Sequence, residues 1–259
     1  MAFADLDDLR MHYELSGDAS LPVLVFSNSL GADLKMWEPQ LSTLESRYCV
    51  LRYDTRGHGS SSVPPGPYKI DRLAEDVLDL LDELEIEQAS FCGLSLGGVT
   101  GQWLGVYARH RLHKLILSNT AAKIGTDETW NARIATVTES GLDSIAPATM
   151  ERWFTQSFRD AQPQVVAATA EILRSTNPEG YVACCAAIRD ADFRSKVREI
   201  KTPTLIITGT HDPVTTPDDG RVLAENIAGG RFVELPAAHL SNTEAAAAFN
   251  TALLEFLES

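Results

Sequence analysis

Short apolar runs rich in β-forming residues alternate along this chain with stretches whose apolar residues recur at helical spacing. The runs are Met11–Leu15, Val23–Phe26, Cys49–Tyr53, Ser90–Cys92, Lys114–Leu117, Thr204–Thr208 and Arg231–Leu235. Between two of them, Ile70–Leu84 carries leucines and a valine on one predicted helical face. Because a helix between two strands returns the chain to the same end of a sheet, this order predicts parallel pairing and an α/β protein.

The first residues depart from this order. Phe3–Leu15 is predicted to form a strand pair that turns at Asp7-Asp8. Such a pair would add an antiparallel edge to an otherwise parallel sheet. The expected fold is therefore a mostly parallel central sheet that is flanked by helices.

Strand patterns are absent from residues 123–194. Helix-like stretches follow one another there, at Thr129–Thr138, Thr149–Phe158, Val165–Arg174 and Tyr181–Ile188. Because the alternation resumes at Pro203, we expect residues 1–122 and 195–259 to form the core domain and residues 123–194 to form a helical lid inserted between two strands. A length of 259 residues suits one domain with an insertion.

The composition restricts the partners. The formal charge of −14 repels phosphate backbones and anionic membrane surfaces, so neither nucleic acid nor a membrane is an expected partner. An anionic small substrate would need a locally placed arginine, lysine or helix N-terminus.

The four cysteines include an adjacent pair and are expected to be reduced. No apolar stretch approaches the ~18 residues of a membrane span. We expect a cytoplasmic protein, and the sequence does not indicate its oligomeric state.

The pentapeptide Gly93-Leu94-Ser95-Leu96-Gly97 follows the apolar run Ala89–Cys92 and precedes a predicted helix, Gly98–Tyr107. A sharp turn from strand to helix holds a serine in strained backbone geometry and lets its hydroxyl project above the sheet. Glycines two positions to either side allow neighbouring segments to approach closely. These features predict that Ser95 is a nucleophile.

A serine nucleophile needs a base, and on such a turn its partners follow in the order aspartate or glutamate, then histidine. Asp212 lies just past the strand Thr204–Gly209, and His239 lies just past Arg231–Leu235. Both therefore belong to the edge at which parallel strands end, as Ser95 does. His211 is the competing base, but a base next to its own orienting carboxylate in sequence could hardly face it.

Attack by Ser95 on a carbonyl would also require two hydrogen-bond donors for the developing oxyanion. The turn itself supplies the amide of Leu96. The loop Ser27–Gly31, which follows another strand, is predicted to supply the amide of Leu30.

Seven segments of the chain match one known family: Phe26–Gly31, Leu51–Gly59, Gly93–Gly98, Leu117–Ile124, Arg152–Thr155, Arg189–Asp192 and Pro236–Asn242. On these segments the chain resembles the 3-oxoadipate enol-lactonases, which have the α/β-hydrolase fold. The strand-to-helix turn and the glycine-histidine turn are common among α/β-hydrolases, whereas Phe26–Gly31 and the lid segments are more selective. The resemblance covers nearly the whole chain.

The resemblance implies hydrolysis of 3-oxoadipate enol-lactone, an anionic small molecule, in the β-ketoadipate degradation of aromatic compounds, with no cofactor and no metal. Ser95, His239 and Asp212 would act through an acyl-enzyme. Because this lactone has a free carboxylate and the protein is acidic, we expect Arg133 of the lid to bind it. Trp130 and Trp153 are expected to wall the same pocket.

Three other functions are compatible with the same residues. A general carboxylesterase or a cofactor-free perhydrolase would use the same three residues and differ only in its pocket. A non-catalytic ligand-binding protein on this fold is the alternative from another class, since a fold does not fix a function.

Overall fold

A computed structural model describes residues 2–259, and within them an eight-stranded sheet has the order β1-β2-β4-β3-β5-β6-β7-β8. The strands are β1 (Ala2–Asp5), β2 (Arg10–Ser16), β3 (Val23–Ser27), β4 (Cys49–Tyr53), β5 (Ala89–Leu94), β6 (Leu112–Ser118), β7 (Thr204–Gly209) and β8 (Arg231–Leu235). Every residue of β5 and β7 is buried, as expected for strands that are covered on both faces.

The pairing is mixed in the way that the sequence predicts. β1 pairs antiparallel with β2, and β2 pairs antiparallel with β4. The remaining neighbours pair in parallel. The carboxyl ends of β5, β6, β7 and β8 therefore meet at one edge of the sheet. The predicted fold class, a mostly parallel sheet with helices and an antiparallel edge, is confirmed.

The helices follow the strands in the expected alternation. They are α1 (Glu38–Leu44), α2 (Ile70–Glu83), α3 (Leu96–Tyr107), α4 (Asp127–Ser140), α5 (Ala146–Trp153), α6 (Gln156–Ala161), α7 (Pro163–Ser175), α8 (Pro178–Asp190), α9 (Pro217–Asn226), α10 (Ser241–Glu244) and α11 (Ala246–Leu257). α3 packs against β5 and β6, and α9 packs against β7 and β8. No helix within residues 2–259 combines the length and the apolar character that crossing a membrane requires.

Five of these helices, α4 to α8, lie between β6 and β7 and make up most of residues 123–194. The prediction of one continuous helical stretch over Thr149–Phe158 is wrong. α5 ends at Trp153 because Phe154 is extended, with φ −133° and ψ 143°. Thr155 then begins α6 by accepting a hydrogen bond from the amide of Phe158, as an N-cap residue does.

At Gly57 and Gly180, the turn after β4 and α8 meet main chain to main chain. A Cβ atom at Gly57 would lie 2.5 Å from the Cα of Gly180, and a Cβ at Gly180 would lie 2.4 Å from the carbonyl oxygen of Gly57. Real Cβ atoms do not approach so closely, so both positions need glycine. The helical insertion therefore rests against the core at this point without any side chain between them.

Candidate active site

Ser95 stands between the end of β5 and the start of α3. Its backbone has φ 57° and ψ −110°, a conformation that costs a non-glycine residue free energy. The amide of Ser95 donates to the carbonyl oxygen of Ser118 at 3.0 Å, which ties the turn to the end of β6. Strain that the surrounding structure maintains in this way is typical of functional sites.

The glycines of the pentapeptide have no space for a side chain. A Cβ at Gly93 would lie 2.0 Å from the carbonyl oxygen of Gly97. A Cβ at Gly97 would lie 2.2 Å from the carbonyl oxygen of Ser27. The close approach of the loop after β3 to the turn at Ser95 therefore depends on glycine.

Asp212 and His239 lie together, both buried, just past the ends of β7 and β8. The distance from Oδ2 of Asp212 to Nδ1 of His239 is 2.8 Å. Within the described residues no hydrogen bond joins the Ser95 hydroxyl to His239, a contact that in unliganded enzymes often tightens only when substrate binds. His211 is exposed, and its ring has no hydrogen bond to Asp212 within residues 2–259.

Four further donors surround the carboxylate of Asp212. Oδ1 accepts from the amides of Val214 and Thr215, at 2.8 and 3.1 Å. Oδ2 accepts from the Thr215 hydroxyl at 2.8 Å and from Nδ2 of Asn119 at 2.9 Å. Burial disfavours the charged form, but the charge of His239 and these hydrogen bonds outweigh it and hold the pKa of Asp212 below its usual value. Asp212 is therefore ionised at neutral pH.

The loop that includes Leu30 is fixed against the turn at Ser95. The amide of Gly97 donates to the carbonyl oxygen of Asn28 at 3.0 Å, and the Asn28 side chain is held by Trp37 Nε1 at 2.9 Å. Neither the Leu30 amide nor the Leu96 amide donates a hydrogen bond to another group within residues 2–259. An oxyanion hole requires two amides that are free to donate, and both predicted amides meet this condition.

The helical insertion contains two arginines that influence each other. Arg133 is half-buried and donates from Nη1 to the Tyr181 hydroxyl at 3.3 Å. Arg152 is also half-buried, and burial together with the charge of Arg133 lowers its pKa. In the part of the chain that the structure describes, neither arginine has a carboxylate within salt-bridge distance. Two neighbouring cations that are partly desolvated and unpaired favour the binding of an anion.

The two tryptophans expected in the pocket occupy different positions. Trp130 donates from Nε1 to the carbonyl oxygen of Ile124 at 2.7 Å and so fastens α4 to the segment before it. Trp153 is buried, and its carbonyl oxygen accepts from the amide of Leu240, next to His239, at 3.1 Å. Trp153 is therefore beside the predicted base, whereas the indole of Trp130 has a structural partner.

Four residues that the fold brings to the candidate site were not predicted from the sequence. They are Asn119, Thr215, Arg152 and Tyr181. Asn119 and Asp212 are separated by 93 positions, and no spacing in the sequence connects them. Thr215 follows Asp212 by three positions, where a side-chain contact to the carboxylate is common in turns, so local turn chemistry was the one available signal.

The chain is similar to known proteins over most of its length. The family model described as alpha/beta hydrolase fold matches residues 22–246. The chain is 46% identical over 246 residues to 3-oxoadipate enol-lactonase 2 of Acinetobacter baylyi, covering 95% of this chain and 92% of the relative. It is 44% identical over 231 residues to 3-oxoadipate enol-lactonase 1 of the same organism, covering 89% and 86%. A crystal structure of the enol-lactonase from Burkholderia xenovorans LB400 matches with a TM-score of 0.98 at 45% identity, covering 100% of both chains.

Proposed function

This chain belongs to the 3-oxoadipate enol-lactonase family of α/β-hydrolases, and from that premise we propose that it hydrolyses 3-oxoadipate enol-lactone to 3-oxoadipate with Ser95, His239 and Asp212 as its catalytic triad. It is an enzyme of the ester-hydrolase class. The observation that carries the assignment of roles is the buried 2.8 Å contact of Asp212 with His239, at the same sheet edge as the strained Ser95 turn. The reaction would belong to the β-ketoadipate degradation of aromatic compounds.

The first chemical step is acylation. Nε2 of His239 accepts the proton of the Ser95 hydroxyl while Oγ of Ser95 bonds to the lactone carbonyl carbon. The carbonyl oxygen becomes an oxyanion, which the amides of Leu30 and Leu96 stabilise. Collapse of this intermediate breaks the ring C–O bond, and His239 protonates the departing enolate oxygen. The enol tautomerises to the ketone, which makes expulsion of this leaving group favourable.

The second step regenerates Ser95. A water molecule gives a proton to His239 and attacks the ester carbonyl of the acyl-enzyme, and the same two amides stabilise the second oxyanion. The bond to the serine oxygen then breaks, and His239 returns the proton to that oxygen. Asp212 remains ionised throughout and stabilises the imidazolium that forms in each step.

Arg133 and Arg152 would bind the free carboxylate of the lactone. Both are half-buried, and their like charges repel each other. A carboxylate bound between them would offset this repulsion. In a chain of charge −14 this pair creates a local positive field that the rest of the surface opposes. Residues 123–194 would act as the lid that supplies this specificity, with Trp153 as a wall beside His239 and Trp130 fastening the lid. The cytoplasmic location stays a prediction, which the four free, buried cysteines support.

The test compares 3-oxoadipate enol-lactone with a neutral lactone of the same ring size, in wild type, Arg133→Ala and Arg152→Ala. We expect each variant to lose on the order of 10-fold to 100-fold in kcat/KM on the carboxylate-bearing lactone and little on the neutral one. Arg159→Ala, another arginine of the insertion, is the matched control. Equal losses on both substrates would favour a general esterase, and a wild type that binds the lactone without turnover would favour the binding-protein alternative.

A further inference from the structure

Asn119 occupies the first position after β6 and is fully buried. Its backbone has φ 42°, in the left-handed region that asparagine tolerates better than other residues with a Cβ. The amide of Asn119 donates to the carbonyl oxygen of Ile207 at 2.8 Å, which fixes its main chain to β7. The side chain is thus held at a defined place on the edge where the strands end.

The side-chain amide of Asn119 uses all its hydrogen-bonding capacity. Nδ2 donates to Oδ2 of Asp212 at 2.9 Å and to the carbonyl oxygen of Ala238 at 3.2 Å. Oδ1 accepts from the hydroxyls of Ser241 and Ser118, at 2.5 and 3.0 Å. One small buried group therefore contacts the Asp212 carboxylate and both sides of the segment that includes His239.

Only an uncharged amide satisfies these four contacts at once. A carboxylate would lose both donors and place a second negative charge against Asp212, which is costly in a buried site. An aliphatic side chain would leave a lone pair of Asp212 and the carbonyl oxygen of Ala238 without their donor. Because Ala238 precedes His239, the same NH₂ group determines the orientation of the aspartate and the position of the histidine main chain.

We propose that Asn119 is a positioning residue for hydrolysis, which sets the placement of Asp212 relative to His239 through the two donor hydrogens of its side-chain amide. The proposal rests on the proposed triad. It assigns to Asn119 no contact with the substrate. Asn119 should therefore affect kcat rather than KM, and it should act only where Asp212 is present as a carboxylate.

The test is a double-mutant cycle with p-nitrophenyl acetate, a generic ester that reports on the triad even if the enol-lactone is not turned over. Asn119→Gly keeps the freedom to adopt positive φ and removes the amide. Asn119→Asp keeps the shape and removes both donors. We expect each to lower kcat on the order of 10-fold to 100-fold with KM little changed. In the Asp212→Asn background we expect Asn119→Gly to cause less than about a threefold further loss.

Ser241→Ala gives a milder perturbation, because it removes one donor to Oδ1 of Asn119 and leaves the strained main chain intact. We expect a smaller loss of kcat that also disappears in the Asp212→Asn background. Asn226→Gly, on α9 and remote from the site, is the matched control. The proposal would be overturned if Asn119→Gly lowered kcat equally with and without the Asp212 carboxylate. It would also be overturned if Asn119→Gly and Asn119→Asp kept the wild-type kcat and only the melting temperature fell. A wild type that is active on the ester but not on the enol-lactone would instead reject the proposed substrate.

Discussion

Oδ2 of Asp212 lies 2.8 Å from Nδ1 of His239, and the same oxygen also accepts from the Thr215 hydroxyl at 2.8 Å. Oδ1 is occupied by two main-chain amides. The carboxylate is thus fixed in rotation as well as in position. His239 meets an ionised oxygen whose other neighbours are donors.

Asp212→Asn should lower kcat by about 10³-fold to 10⁴-fold, because the amide would favour the wrong imidazole tautomer and remove the charge that stabilises imidazolium. Steady-state kinetics on the enol-lactone and on p-nitrophenyl acetate measure this loss. Asp218→Asn, an exposed position on α9, should leave kcat unchanged. A variant at Asp212 that retained more than a tenth of the activity would exclude Asp212 as the triad acid.

Gly97→Ala should impair transition-state stabilisation more than substrate binding. The added Cβ would lie 2.2 Å from the carbonyl oxygen of Ser27, so the loop that includes Leu30 must move away from the turn at Ser95. We expect kcat to fall by about 10²-fold to 10³-fold, the usual effect of losing one oxyanion donor. Gly101→Ala, on the same helix but with only side-chain atoms at 3.0 Å or more, is the control. Similar losses in both variants would indicate damage to α3 rather than to the oxyanion hole.

His58 should make the protein less stable in mild acid. It is buried in the turn after β4, where its ring faces Cys184 of α8, and burial lowers its pKa from 6.5 to about 4. Between these two pH values the unfolded chain binds a proton at His58 that the folded chain does not. The contribution of His58 to the free energy of unfolding is therefore fully present above pH 6.5, and it is lost as the pH is lowered towards 4. His58 alone should lower the free energy of unfolding by about 2 kcal/mol between pH 7 and pH 5.

Urea unfolding of His58→Asn at pH 7 and pH 5 measures that contribution. The variant should show a smaller difference between the two pH values than the wild type. His110→Asn removes an exposed histidine and should keep the wild-type difference. Parallel pH dependences in wild type and His58→Asn would contradict a neutral buried imidazole.

Glu244 should couple the helical insertion to the segment of His239. Its carboxylate accepts from the amide of Ala238 at 3.0 Å, from the amide of Thr155 at 3.2 Å and from the Thr155 hydroxyl. Glu244→Ala would remove these charge-assisted bonds, so we expect hydrogen exchange at the amides of Thr155 and Ala238 to accelerate on the order of 10-fold or more. Glu255→Ala, on α11, should leave both rates unchanged.

The sheet was predictable because its strands have a local signature. A buried strand of a parallel sheet is a mostly apolar run that ends at turn residues, so the buried strand Cys49–Tyr53 was bounded correctly from the sequence. The partly exposed edge strand Arg231–Leu235 was also bounded correctly, because turn residues flank it on both sides. The helix break at Phe154 and Thr155 was not predictable by periodicity, because apolar spacing continues across it. The break depends on a cap and on the contact of Thr155 with Glu244, which lies 89 positions away.

The residues of the candidate site also differ in whether the local sequence could predict them. Ser95, Asp212 and His239 could be predicted because each lies in a short recognisable sequence just past a strand. Asn119 and Arg152 could not, since each matters through a partner that only the fold brings near. The roles of the three triad residues stay predictions until the variants are measured.

The contact of Gly57 with Gly180 restricts how this enzyme can be recombined with its relatives. An insertion transplanted from a relative would pack against this core in the same way only if it has glycine at the position of Gly180 and the core has glycine at the position of Gly57. A single methyl group at either place would meet main-chain atoms at about 2.5 Å, so the start of α8 could not keep its contact with the turn after β4, whatever substrate preference the other residues encoded. Chimeras designed to exchange specificity should therefore be chosen by this pair of glycines first and by the pocket residues second.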